Sequence, residues 1–141
     1  MNTMSVRVAD RQESKMKAQR AALELASYTL TICKNEKQFP KRDRWLLTSE
    51  IVHEALNVYR HVRKGNKIRV ETADDYKRRR RHQKQALGAV DCLLGLIALA
   101  AGVLPLENTR LECWTGLCLE AEKLIAGWQR SDAQAHGHLL K

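Results

Sequence analysis

Apolar and small side chains recur at alternating three- and four-residue steps through four stretches of this chain, and helix breakers separate the stretches. That period marks helices that each bury one stripe against neighbours. The breaks are Gln38-Phe39-Pro40-Lys41, Gly65-Asn66-Lys67 and Gly102-Val103-Leu104-Pro105, so helices are predicted near 16–37, 43–64, 73–101 and 106–130. The inner stripes read Met16, Leu23, Ala26, Leu30 and Cys33 in the first helix and Ile51, Ala55, Val58 and Val62 in the second. In the third they read Tyr76, Leu87, Val90, Leu94, Ile97 and Ala101, and in the fourth Leu111, Trp114, Cys118, Ala121, Ile125 and Trp128. The register of the third helix also passes through Arg80 and Gln83, so that seam is not purely apolar. Its start is the best-marked boundary: Thr72 with Asp75 three residues on is a capping-box variant, and Asp74 favours the same end of the helix dipole.

Short connections between long helices make antiparallel neighbours, so the expected fold is all-α, an antiparallel up-down-up-down four-helix bundle. Aromatic residues are only 5% of the chain, which argues against an all-β domain. A length of 141 residues suits one domain that needs no disulfide or metal to hold it. Residues 1–15 read as a flexible N-terminal extension, 16–130 as the bundle and 131–141 as a frayed C-terminal tail. Cys33, Cys92, Cys113 and Cys118 sit singly in apolar runs, without CxxC spacing, and read as buried-type free thiols of a reducing cytoplasm. The start of the chain has no continuous apolar run of the kind a secretory signal needs, so a cytoplasmic location is expected. Ala86 to Leu104 is apolar, but Asp91 leaves about 13 uncharged residues where a spanning helix needs about 20. It is therefore read as a core helix, with no membrane partner.

The formal charge is +9, and residues 60–84 alone carry +8 of it. Their eleven cations are Arg60, Arg63, Lys64, Lys67, Arg69, Lys77, Arg78, Arg79, Arg80, Arg81 and Lys84, against Glu71, Asp74 and Asp75. A charge run is ordinarily a solvated face. Five consecutive cations at 77–81 wrap more than one turn, however, so they cannot all point outward. Arg80 is placed toward the seam, where an acid or a phosphate must meet it. The expected role is binding RNA and DNA through backbone phosphates, without sequence specificity. Trp45, Trp114 and Trp128 read as core or interface, while Tyr59 and Tyr76 flank the basic segment and are candidates for stacking on a base.

Catalysis is not expected, because no nucleophile–base pair or glycine-rich phosphate loop occurs. Glu50-Ile-Val-His53 is a single Glu-x-x-His unit, and a di-iron carboxylate site needs two; no metal and no cofactor is expected. Gly88 and Gly95 each cost about 1 kcal/mol inside a helix, which close packing would offset. Residues 86–101 are apolar almost all round, so a second face of the third helix, carrying Gly88, Cys92, Gly95 and Leu99, is expected to meet another subunit.

The chain resembles the accessory variability determinant proteins of diversity-generating retroelements, within a four-helix-bundle family that includes ribosomal-RNA intervening-sequence proteins. The resemblance lies in Tyr28 through Tyr59, where a helix ends in Phe39-Pro40-Lys41 and the next runs Arg44-Trp45-Leu46-Leu47, then Ile51, Ala55 and Leu56. It continues in the arginine-rich start of the third helix, the Leu104-Pro105-Leu106 turn and Gly127-Trp128, covering residues 20–130. The retroelement members imply a basic, barrel-like homopentamer without enzymatic activity. Such a protein associates with the reverse transcriptase and nucleic acid and supports mutagenic copying of template RNA into cDNA. The intervening-sequence members imply instead an interaction bundle, whose basic face would meet acidic protein or anionic membrane.

Overall fold

Four helices, α1 (Val8–Lys34), α2 (Arg44–Lys67), α3 (Ala73–Val103) and α4 (Asn108–His136), are followed by a 3₁₀ turn at Gly137–Leu140. They are seen in a computed structural model that describes residues 8–42 and 44–141; the side chain of Trp45 lies outside the described residues. There is no strand among the described residues. Of the predicted N-terminal extension, residues 1–7 also lie outside that set, and residues 8–15 are helical.

The starts of α3 and α4 are set in different ways. At α3 the capping box forms as read: Asp75 N–H donates to Thr72 Oγ1 at 3.2 Å, and the Asp75 carboxylate accepts from Thr72 N–H at 3.1 Å and Glu71 N–H at 3.2 Å. The first turn of α4 has no side-chain cap of its own, and Glu107 N–H donates instead to Gln38 Oε1 at 2.7 Å. That bond ties the α1–α2 loop to the α3–α4 turn. Phe39 from the same loop is fully buried and meets Trp114 edge-on, with ring centroids 6.1 Å apart.

Every helix packs on its neighbours in the chain, and α1 also packs on α4, so one core lies between four walls. The expected faces of α2 (Ile51, Ala55, Val58, Val62) and of α4 (Trp114, Cys118, Ala121, Ile125, Trp128) are buried, with Leu111 half-buried. The face of α1 is the expected one only at Ala26 and Cys33. Met16, Leu23 and Leu30 are exposed, and the helix buries Ala18, Ala21, Ala22, Leu25, Ala26, Thr29, Ile32 and Cys33. The reason is complementarity: α4 brings two indoles into the core, and small side chains opposite leave them room. Trp114 Nε1 donates to Thr29 Oγ1 at 2.9 Å, and that hydroxyl donates to the Leu25 carbonyl at 2.7 Å. Thr29 thus answers the buried Trp114 indole N–H, whereas that of Trp128 has no partner among the described residues.

The register of α3 is also turned from the expected one. Tyr76, Gln83, Val90 and Ile97 are inside as read, but they are joined by Arg79, Ala86, Ala89, Leu93 and Ala100, while Arg80 is exposed and Leu87, Leu94 and Ala101 are only partly covered. The C-terminal boundary moves too, since α4 continues to His136 and buries Ser131 and Asp132 where a frayed tail was expected.

Gly65 is not a break. It lies inside α2, buried, where a Cβ would stand 2.9 Å from the Trp128 ring and 3.3 Å from His82 Cβ. Gly65→Ala is therefore expected to destabilise: overpacking costs about 1–3 kcal/mol, and the gain in helix propensity returns only about 1. Gly88→Ala, where nothing lies within 4 Å, should raise the stability of the same chain. Urea midpoints of the two variants check both signs.

Candidate nucleic-acid interface

The cations of residues 60–84 gather where the last turns of α2, the 68–72 link and the first turns of α3 meet. Arg60, Arg63, Lys64, Lys67, Arg69, Lys77, Arg78, Arg80, Arg81 and Lys84 are all exposed. Arg79 is the exception, and it corrects the reading that put Arg80 at the seam. Its Nη1 donates to both carboxylate oxygens of Asp132 at 3.1 and 3.2 Å, and its Nη2 to the carbonyl of Ile68. Gln83 Nε2 donates to the same carboxylate at 2.8 Å. An acid from α4, rather than a phosphate, meets the inward arginine.

Acids inside the segment are already engaged. Asp75 lies 2.9 Å from Arg78 and Glu71 3.0 Å from Arg69. Arg78, with the Glu71 and Thr72 N–H groups, holds the Asp75 carboxyl down at about 2. Lys64, Lys67, Lys77, Arg80, Arg81 and Lys84 have no salt-bridge partner among the described residues. The result is a pole of uncompensated positive charge across α2 and α3, suited to phosphate oxygens.

Of the aromatic candidates, Tyr59 is half-buried, with the Arg63 guanidinium 6.0 Å from its ring centroid. Tyr76 is not available to stack on a base, because it is buried with its centroid 6.0 Å from that of His136. Trp114 and Trp128 are core, fully buried. The pole is thus built of cations with at most one tyrosine beside them, an arrangement that contacts backbones rather than bases.

Sequence reading missed a histidine pair in this pole. His61 of α2 and His82 of α3 have their Nδ1 atoms 3.1 Å apart. One ring must donate and the other accept, so the contact holds with at least one imidazole neutral. Burial, then Lys64 and Arg60, lower the His61 pKa; burial, then His61, Lys64, Arg81 and Arg78, lower that of His82. His136 is also lowered, first by burial. All three lie below their ordinary 6.5 in the folded state, so the unfolded chain takes up protons first on acidification. Stability is full above about 6.5 and is lost as pH falls toward the lowered folded-state values. The urea midpoint is expected to drop between about pH 7.5 and pH 5, and to drop less in a His61→Asn/His82→Asn variant. A flat midpoint in the wild type would contradict this.

The face predicted to meet another subunit is bare within the chain. Gly88, Cys92, Gly95 and Leu99 are all exposed, Leu99 by 55%, and nothing within 4 Å would meet a Cβ at either glycine. Close packing inside the bundle therefore does not account for these glycines. The inner face of α3 is covered by the other helices, yet by length and composition alone α3 is apolar enough to cross a membrane, as no other described helix is. No disulfide joins the four cysteines among the described residues; Cys33 and Cys118 are buried as read, whereas Cys92 and Cys113 are exposed, contrary to the buried-type reading. Burial pushes the Cys118 thiol up to about 12. Glu50 and His53 are exposed, and no three His, Cys, Asp or Glu side chains converge as a metal site among the described residues.

Comparison with protein-family models, with curated proteins and with solved structures finds no match to this chain.

Proposed function

We propose that this protein is a non-enzymatic, nucleic-acid-binding accessory protein of a retroelement reverse transcriptase, holding RNA or DNA by its phosphates without reading sequence. In this reading the four helices run up-down-up-down, and copies of the chain close into a ring, a homopentamer, through the bare face of α3. The observation that carries the reading is the pole of exposed cations without an acidic partner among the described residues, Lys64, Lys67, Lys77, Arg80, Arg81 and Lys84 among them, beside acids already engaged by Arg69 and Arg78. The reverse transcriptase comes from the resemblance of the sequence to retroelement accessory proteins, and its template would bring polyanion and protein to this pole together.

One pole alone would bind weakly, with Kd about 10⁻⁴ to 10⁻⁶ M at physiological salt. A ring of poles gains from high effective concentration on a long nucleic acid, by a factor of about 10² to 10⁴. Light scattering at micromolar concentration is expected to show a closed oligomer. Gly95→Leu is expected to shift it toward monomer, because a large side chain would hold the partner's helix away, while the thermal unfolding of dilute monomer stays unchanged or improves. Wild type that is monomeric at that concentration would remove the ring from the proposal. Long RNA that fails to bind at about 50 mM salt would remove the nucleic acid.

A further inference from the structure

Beside this pole, the first turns of α1, residues 66–70, Arg79 and the end of α4 line a polar cleft. We propose that this cleft binds a phosphate-type oxyanion carrying two or more negative charges, at a site that borders the exposed pole and shares Lys67 and Arg69 with it. Five cationic side chains line it, Arg11, Lys15, Lys67, Arg69 and Arg79, with Asp132 as the one carboxylate among the described lining residues.

The carboxylate is not free to balance them. Asp132 accepts twice from Arg79 and once from Gln83, and its side chain is 3% exposed. Arg79 is equally enclosed, 7% exposed, and its Nε has no hydrogen-bond partner; Arg11 Nε is likewise out of water and without one. Two guanidinium donors are thus present that the described protein leaves unanswered, which is unusual for buried polar atoms. Lys15 adds a half-buried ammonium whose pKa is lowered by burial and by the charge of Arg79, with only Asp132 acting the other way. His136, at the rim, is lowered by burial and by Arg79 and Arg11. An anion with several oxygens would answer the guanidinium N–H groups and pair with the Lys15 ammonium. Guanidinium forks favour planar or tetrahedral oxyanions over halides, and several cations around one cleft favour a multiply charged one.

The site does not depend on the nucleic-acid reading, and the same chemistry could be offered by a free nucleotide or by the phosphorylated end of a strand. Titration calorimetry of the full chain with inorganic pyrophosphate is expected to show one saturable site per chain. An Arg11→Gln/Lys15→Gln variant should bind it at least about tenfold more weakly, as expected for lost charged hydrogen bonds. Its melting temperature without ligand should be no lower than wild type, because two like charges leave the cleft, and pyrophosphate should raise the melting temperature of wild type only. A nucleoside triphosphate that displaces pyrophosphate identifies a free-nucleotide source. A 5′-triphosphorylated oligonucleotide that does so, when its 5′-hydroxyl counterpart does not, identifies a strand end, and either result supports the proposal. Lys64→Glu/Arg81→Glu, outside the described lining of the cleft, should leave pyrophosphate affinity within about twofold while weakening long RNA. Absence of pyrophosphate binding, or binding unchanged in the Arg11/Lys15 variant, would overturn the cleft and leave the proposed nucleic-acid face standing.

Discussion

Asp132→Ala is expected to destabilise the fold by about 3–5 kcal/mol, the effect of leaving one partner of a buried ion pair alone. Arg79 would keep only its bond to the Ile68 carbonyl, and Gln83 Nε2 would lose its acceptor. The Arg79 side chain is only 7% exposed, at the wall of the cleft. The cost therefore belongs to the orphaned charge rather than to the attraction that is lost. A double change that removes both charges, Arg79→Met/Asp132→Leu, should recover most of the loss, because an apolar pair of similar volume is often as stable as a buried ion pair. Chemical denaturation of the three proteins measures this. A loss below about 1 kcal/mol for Asp132→Ala would mean that the pair is solvated and that α4 does not hold the start of α3.

That pair also shows where sequence reading stops. The run of five cations from Lys77 to Arg81 says that one must face inward, but which one depends on an acid 53 positions away. Asp132 itself stands in a polar segment whose local pattern reads as a solvated tail. The face of α1 was hidden for a related reason. Met16, Leu23 and Leu30 carry the period expected of a core stripe, and only the indoles of α4 show that the alanine side is the one with room. What depended on local chemistry was legible: four helices, the Thr72–Asp75 cap, and the faces of α2 and α4, where the large apolar residues are also the inner ones.

The same division runs through the site. That the cations of 60–84 form an exposed basic patch was legible from the charge run, except that Arg80 was read as the inward one where Arg79 is. Their exposure says nothing of which positions on two helices come together. The His61–His82 contact and the Arg11–Lys15 cleft join residues from separate helices, and no local signal marks either. Gly65 was misread because glycine permits both a turn and a close approach, and only the position of Trp128 distinguishes them.

Reversing charge at Lys64 and Arg81 is expected to have the largest functional effect. Arg78 is a less clean target, since it also pairs with Asp75 beside the α3 cap. Lys64 and Arg81 have no acidic partner among the described residues, so Lys64→Glu/Arg81→Glu changes the field without breaking a described ion pair. Each contact to a phosphate releases counterions and adds about −0.9 to the log–log salt slope on duplex, or about −0.7 on single strands. Losing two contacts per engaged subunit should flatten the slope by more than one unit. The affinity at about 50 mM salt should fall by at least about a hundredfold where several subunits hold one strand. Because backbone contacts carry no sequence information, the loss should be equal on unrelated sequences.

The central claim, that the pole of α2 and α3 holds nucleic acid by its phosphates, is tested most directly by the salt dependence of binding to long single-stranded RNA for wild type and Lys64→Glu/Arg81→Glu. The account predicts tight wild-type binding with a steep slope, and a weaker variant whose slope is shallower on every sequence. A wild-type protein with no affinity at about 50 mM salt, or a variant whose slope matches wild type, would contradict it.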